Sequence, residues 1–87
     1  MRKIEWTNAF KRDFKRCGMF ESRFIEALYK LANDEKLSDK FCDHDLSGDW
    51  KDHRDCHIKP DLILIYRKPT DQNLQLVRLG SHSELGL

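Results

Sequence analysis

This 87-residue sequence has no long apolar run. Its hydrophobic fraction is 39%, and no stretch approaches the roughly 20 apolar residues needed to span a bilayer. The N-terminus Met1-Arg2-Lys3-Ile4-Glu5-Trp6 has no apolar signal-peptide segment, so the expected location is the cytoplasm. Cysteine is scarce as well. Cys17, Cys42 and Cys56 are odd in number and show no CxxC spacing, so they read as free thiols. A nucleophilic thiol needs an electropositive setting, whereas Cys42 adjoins Asp43 and Cys56 adjoins Asp55. There are only two prolines, Pro60 and Pro69, and no internal repeat or low-complexity segment. One short domain with a thin core is expected, since a chain this small buries only about 60–65% of its unfolded surface.

Charge is plentiful but nearly balanced, at +1 overall, and its distribution is more informative than its sum. Residues 1–30 carry eight Lys/Arg against four Asp/Glu, residues 31–61 five against nine, and residues 62–87 three against two. The basic N-terminal third is either a solvated helix face or a surface that meets phosphate or an acidic partner.

Ile4 and Trp6 alternate with polar neighbours and mark a first strand. Thr7 or Asn8 can cap a helix that carries Phe10, Phe14 and Cys17 inward and Lys11, Arg12, Lys15 and Arg16 outward, until Gly18 interrupts it. Phe20, Phe24, Ile25, Leu28 and Leu31 form the stripe of a second helix that fades at Asn33-Asp34. Leu37 to Ser47 has no period and reads as loop. Trp50 to Ile58 reads as a polar strand, Leu62 to Tyr66 as a central strand buried on both faces, and Leu74 to Leu79 as the last strand. Beyond Gly80 the chain reads as a tail. The expected architecture is α+β, in the order β-α-α-β-β-β, with two helices on one face of a mostly antiparallel four-stranded sheet.

Four histidines, at 44, 53, 57 and 82, lie in the second half among Asp43, Asp45, Asp55 and Asp61. In a strand, Lys51, His53, Asp55 and His57 share one face, and Trp50, Asp52, Arg54, Cys56 and Ile58 the other. His57 and Asp61 flank the bend at Pro60 and can converge at the strand ends. His53-x3-His57 resembles half of a zinc site, but the second half is missing, so no metal is expected. Metal-free RNA cleavage is the other chemistry. It needs a base at the attacking 2′-hydroxyl, an acid at the departing 5′-oxygen and a cation for the phosphate. Imidazole suits both proton transfers because its ordinary pKa is near 6.5. These residues are also common on polar surfaces, so composition alone does not decide.

Their order does more. Residues 43–66 run Asp43-His44-Asp45-Leu46-Ser47-Gly48-Asp49-Trp50, then Arg54-Asp55-Cys56-His57 and Pro60-Asp61, and close on Leu64-Ile65-Tyr66. This resembles the YafQ branch of the RelE/ParE toxin superfamily, which reads D-H-x-L-x-G-x-W-x-x-x-R-D-x-H-x-x-P-D-x-x-L-I-Y. Arg78-Leu79-Gly80-Ser81-His82-Ser83-Glu84-Leu85 matches its R-x-G-(T/S)-H-x-x-L closure. With the N-terminal strand and helices, the likeness covers nearly the whole chain.

The resemblance implies a type II toxin, a ribosome-dependent mRNA endonuclease without cofactor, inhibited by an antitoxin encoded with it. Its partners would be that antitoxin, the ribosomal decoding site and mRNA, with no membrane and no DNA contact by the toxin itself. The functional positions carry over to His44 and His82 as acid/base pair, with His57 and Asp61 positioning substrate or sharing the proton transfer. Lys51, Arg54 and Arg78 are the candidate phosphate contacts. Arg54 and Asp55 are alternatively a structural ion pair. His53 reads as surface, Trp50 as packing and Gly48 as a backbone requirement. The family commonly has an aromatic residue after the closing leucine to place a base, where this sequence has Gly86; such stacking contributes about 1–3 kcal/mol per base. The superfamily leaves two alternatives: a ParE-like inhibitor of DNA gyrase, or a cleavage-impaired toxin that only binds its antitoxin.

Overall fold

The computed structural model describes residues 1–17 and 20–87, so the helix break expected at Gly18 lies outside the described residues. Strand β1 (Lys3–Trp6) leads into α1 (Asn8–Cys17) and α2 (Ser22–Ala32). Then come β2 (His44–Asp45), β3 (Arg54–Lys59), β4 (Leu62–Arg67), β5 (Asn73–Gly80) and a short α3 (His82–Leu85). The sheet order is β1-β5-β4-β3-β2; β1 runs parallel to β5 and every other pairing is antiparallel.

Thr7 starts α1. Its Oγ1 accepts from the Phe10 N–H at 3.0 Å and donates to the Val77 carbonyl at 2.7 Å, so one hydroxyl caps the helix and docks it on β5. Phe10 is fully buried, and α2 turns Phe24, Ala27 and Leu31 inward. Together they pack on Cys56, Ile58, Leu64, Tyr66, Leu74, Leu76 and Leu79. Ile25, expected in the stripe, is 52% exposed, because the inward set is spaced three and four residues apart and Ile25 falls one residue off it. Phe20 is likewise exposed, resting against Phe14 with ring centroids 5.0 Å apart.

The apolar run in β4 is central and buried on both sides, as its composition suggested. Leu64 and Tyr66 face the helices, while Ile63 and Ile65 join Leu85, Leu46, Trp50 and Val77 in a second, smaller core. Three expectations need correcting. The sheet has five strands, because His44–Asp45, within the stretch read as loop, pairs with β3; a two-residue strand is too short to show a period. β3 begins at Arg54 rather than Trp50, since Gly48–Trp50 forms a tight 3-10 turn and Asp52 has a left-handed φ of 68°. The tail is a helix: Ser81 and Glu84 form a reciprocal capping box, and Gly86 closes it at φ 72°.

Leu64, fully buried between β3 and β5, tests the larger core. Leu64→Ala is expected to cost about 2–5 kcal/mol in urea unfolding; a loss under about 1 kcal/mol would show that the helices do not close over β4.

Candidate active site

Strand alternation divides β3 between two tasks. Cys56 and Ile58 enter the core under the helices, and Asp55 and His57 point to the opposite face. β2 lays His44 directly across from Asp55. The turn after β3 supplies Asp61, and β5 ends at Gly80, opposite Ile63, so that α3 delivers His82 beside the same turn. Gly80 lies where α3 folds back: a Cβ there would crowd Glu84 Oε1 at 3.1 Å and touch Leu85 at 3.6 Å. On the far side Trp50 Nε1 donates to the Leu85 carbonyl at 3.2 Å, and the partly buried Trp50 packs against Ile63, Ile65 and Leu85. Gly48, at φ 64°, takes the left-handed conformation that favours glycine.

Three of the four site residues expected from sequence meet at this turn. Asp61 Oδ1 accepts from His82 twice, from the backbone N–H at 3.0 Å and from Nδ1 at 2.7 Å. The His57 ring stands edge-on to His82, with centroids 5.2 Å apart. The hydrogen bonds from the His82 backbone and ring hold the Asp61 carboxyl below its ordinary range. With Nδ1 committed to Asp61, Nε2 is the nitrogen of His82 left for a substrate.

His44 is fixed differently. Its Nδ1 lies 2.9 Å from the Cys42 carbonyl and 3.0 Å from Asp55 Oδ1, and only the carbonyl meets it in hydrogen-bonding geometry. Asp55 is 2% exposed and its Oδ1 has no hydrogen-bond donor. Burial raises its carboxyl above the ordinary range, against the pull of His44 and His57. Residue order gave Asp55 no separate role, though its alternation with His57 was the signal that the two share a face.

The Arg54–Asp55 ion pair, one of two readings of these residues from sequence, does not form. They are neighbours on a strand and face opposite ways, so Arg54 binds Asp43 and Asp45 instead, beside the Tyr66 hydroxyl that donates to Asp43. Arg78 pairs with Asp13 at 2.6 Å, and Lys51 is exposed in the turn before β3. His53 lies apart, its ring edge-on to Trp50 and its Nδ1 3.0 Å from the Lys51 carbonyl. His53 and His57, four residues apart in near-extended chain, sit roughly 13 Å from each other along the backbone and do not share an ion. Among the described residues no three His, Cys, Asp or Glu side chains converge as metal ligands. Cys17, Cys42 and Cys56 are unpaired with one another; burial pushes the Cys56 thiol far up, the state of an inert core cysteine.

Residues 2–86 match the family of bacterial toxins of type II toxin-antitoxin systems, YafQ. The chain belongs to the YafQ family. It is 36% identical to the mRNA interferase toxin YafQ of Escherichia coli K12, over 97% of this chain and 95% of that one. A copper-bound mutant toxin from Helicobacter pylori is 43% identical, with a TM-score of 0.89 and coverage of 98% of this chain and 99% of that one. The toxin structure in the E. coli DinJ-YafQ complex is 32% identical, with a TM-score of 0.80 and 98% of both chains covered. The α+β fold expected from sequence is therefore the fold of the YafQ toxins. No helix among the described residues is long and apolar enough to cross a membrane.

The raised Asp55 carboxyl gives a test with a definite sign. Folding must take up its charge cost when the group is ionised, so its contribution destabilises above the folded pKa and fades as pH falls through that value. Asp55→Asn is expected to unfold at higher urea than the unsubstituted protein at pH 7, with the gap narrowing as pH drops towards the ordinary carboxylate range. A gap that widens on acidification would reverse the assignment.

Proposed function

We propose that this toxin is an endoribonuclease that cuts translated mRNA in the ribosomal decoding site. The observation that supports it is the shared face: His57, His82 and Asp61 at one end and His44 over Asp55 at the other, with Nδ1 of both His44 and His82 occupied. Two imidazoles fixed through Nδ1 keep Nε2 for the substrate, one to take the 2′-hydroxyl proton and one to protonate the 5′-oxygen. Asp61 orients His82 through Nδ1, while His57 stands against the same ring and shares the proton transfer or positions the phosphate. Chemistry of this kind uses no cofactor.

Positive charge for the phosphate comes from Lys51 in this reading, since Arg78, the other candidate, is taken up by Asp13. Arg54 serves the scaffold by tying β3 to Asp43 and Asp45 next to His44. Gly86 closes α3 without offering a stacking surface, so base placement falls to the ribosome and message. The setting is cytoplasmic, and the inhibitor is an antitoxin whose acidic segment meets α1. Lys11, Arg12 and Lys15 are exposed there and make no ion pair among the described residues, whereas Arg16 is held by Asp13 and Glu84.

Primer extension on a reporter message, with and without translating ribosomes, tests the activity. Cleavage is expected only with ribosomes; cuts in both arms would remove the ribosome from the reading, and intact message in both would sink it. His82→Ala is expected to lose at least about a hundredfold in cleavage rate while melting like the parent protein. Reversing Lys11, Arg12 and Lys15 to glutamate is expected to weaken binding of the cognate antitoxin at least about tenfold at low salt, and less at high salt. Equal affinity under both conditions would place the antitoxin elsewhere.

A further inference from the structure

Among the described residues only two buried side chains are charged or polar, Asp55 under the histidines and Asp13 in the middle of α1. Asp13 is 5% exposed and lies on the helix side of the sheet, where an apolar residue would be the usual occupant. Its carboxylate is fully engaged. Oδ2 accepts from Arg78 Nε at 2.6 Å and from the Leu79 backbone N–H at 3.0 Å. Oδ1 accepts from Arg78 Nη2 at 3.3 Å and from Arg16 Nη2 at 3.1 Å. Arg16 continues outward to Glu84 Oε2, and Glu84 Oε1 accepts from the Ser81 backbone N–H.

These contacts bracket His82. Asp13 holds the chain at residues 78 and 79, before it, and Arg16 holds residue 84, after it. The backbone between them includes Gly80 and the turn into α3, which is too short to fix its own orientation. Burial alone would raise the Asp13 carboxyl, yet the bonds from Arg78 and the Leu79 N–H bring it below its ordinary range, so it stays ionised as the clamp requires.

We infer that Asp13 is a positioning residue for RNA cleavage: through Arg78, Leu79 and Arg16 it sets the angle at which the β5–α3 turn presents His82 to Asp61 and His57. The inference rests on the ribonuclease reading above. It assigns to α1 a task separate from meeting the antitoxin, on its inward rather than its outward face. A shift of about 1 Å at a reacting group can cost a hundredfold in rate, so a clamp remote from the RNA can matter as much as a direct contact.

The test compares the unsubstituted toxin with Asp13→Asn, Arg78→Ala and the double variant, and with Arg16→Gln as a substitution at a half-exposed position that leaves the core intact. Ribosome-coupled cleavage is expected to fall about tenfold to a hundredfold in Asp13→Asn, mainly in kcat. Arg16→Gln is expected to lose a smaller factor in the same direction. The Asp13→Asn loss is expected to shrink markedly in the Arg78→Ala background, because both act through one contact. In NMR spectra the His82 ring Cε1–H resonance is expected to move in Asp13→Asn while that of His53 stays in place, a selective effect that lowered stability alone does not produce. Undiminished cleavage by Asp13→Asn, purely additive losses, or an unmoved His82 resonance would each overturn the clamp. If the unsubstituted toxin fails to cleave, the ribonuclease reading falls, and the His82 resonance still decides whether Asp13 holds the turn.

Discussion

Alternation along β3 ties the site to the core. Six residues, Arg54 to Lys59, have to seal the larger core with Cys56 and Ile58 and present Asp55 and His57 on the other side. A one-residue slip against β4 would exchange the two sets, burying an imidazole beneath the helices and exposing Ile58. The register is therefore held firmly. β4 is buried on both faces and has no polar side to tolerate a slip, and Arg54 crosses to Asp43 and Asp45 at the start of the strand. The placement of His57 against His82, and of His44 over Asp55, follows from that register.

The two buried aspartates show what the same side chain does in opposite surroundings. Asp13 is met by a guanidinium on either side and a backbone N–H, and its charge is stabilised. Asp55 has one buried oxygen without a donor, and burial, with Asp43 nearby, penalises its charge against the pull of the histidines. A buried carboxylate kept at a cost beneath histidines is the usual mark of a functional group, since an amide of equal size would fit there without the penalty. One aspartate is held as a charge by its partners; the other is held against its charge by burial.

How much of this was legible in the sequence follows from the range of each interaction. β4 could be read because five successive β-forming apolar residues permit little else, and α2 because its stripe extends over three turns. β2 could not, being two residues long and a strand only by virtue of its partner. α3 did carry a sign: Ser81-x-x-Glu84 is a capping box, but no apolar run follows to suggest a helix. In the candidate site, residue order pointed to His44, His57, Asp61 and His82, and the fold brings the last three together. It was silent on Asp55 because adjacency to Arg54 suggested a pair that strand geometry forbids. It was silent on Asp13 because a charged residue among Lys11, Arg12, Lys15 and Arg16 looks like part of a solvated face until the partner strand is in place.

A domain this small has to hold its candidate site from several sides. His82 sits on four helical residues that would not persist alone, since a helix of one turn cannot recover the entropy of its nucleation. Its order is supplied from every side: Asp61 from the β3–β4 turn, Trp50 from the segment before β3, Asp13 and Arg16 from α1, and the bare backbone of Gly80 beneath it. No single contact among these is large, and the smaller core adds its own hold on the helix through Leu85. α1 thus bears on the placement of His82 through Asp13 and Arg16 as well as on the larger core through Phe10.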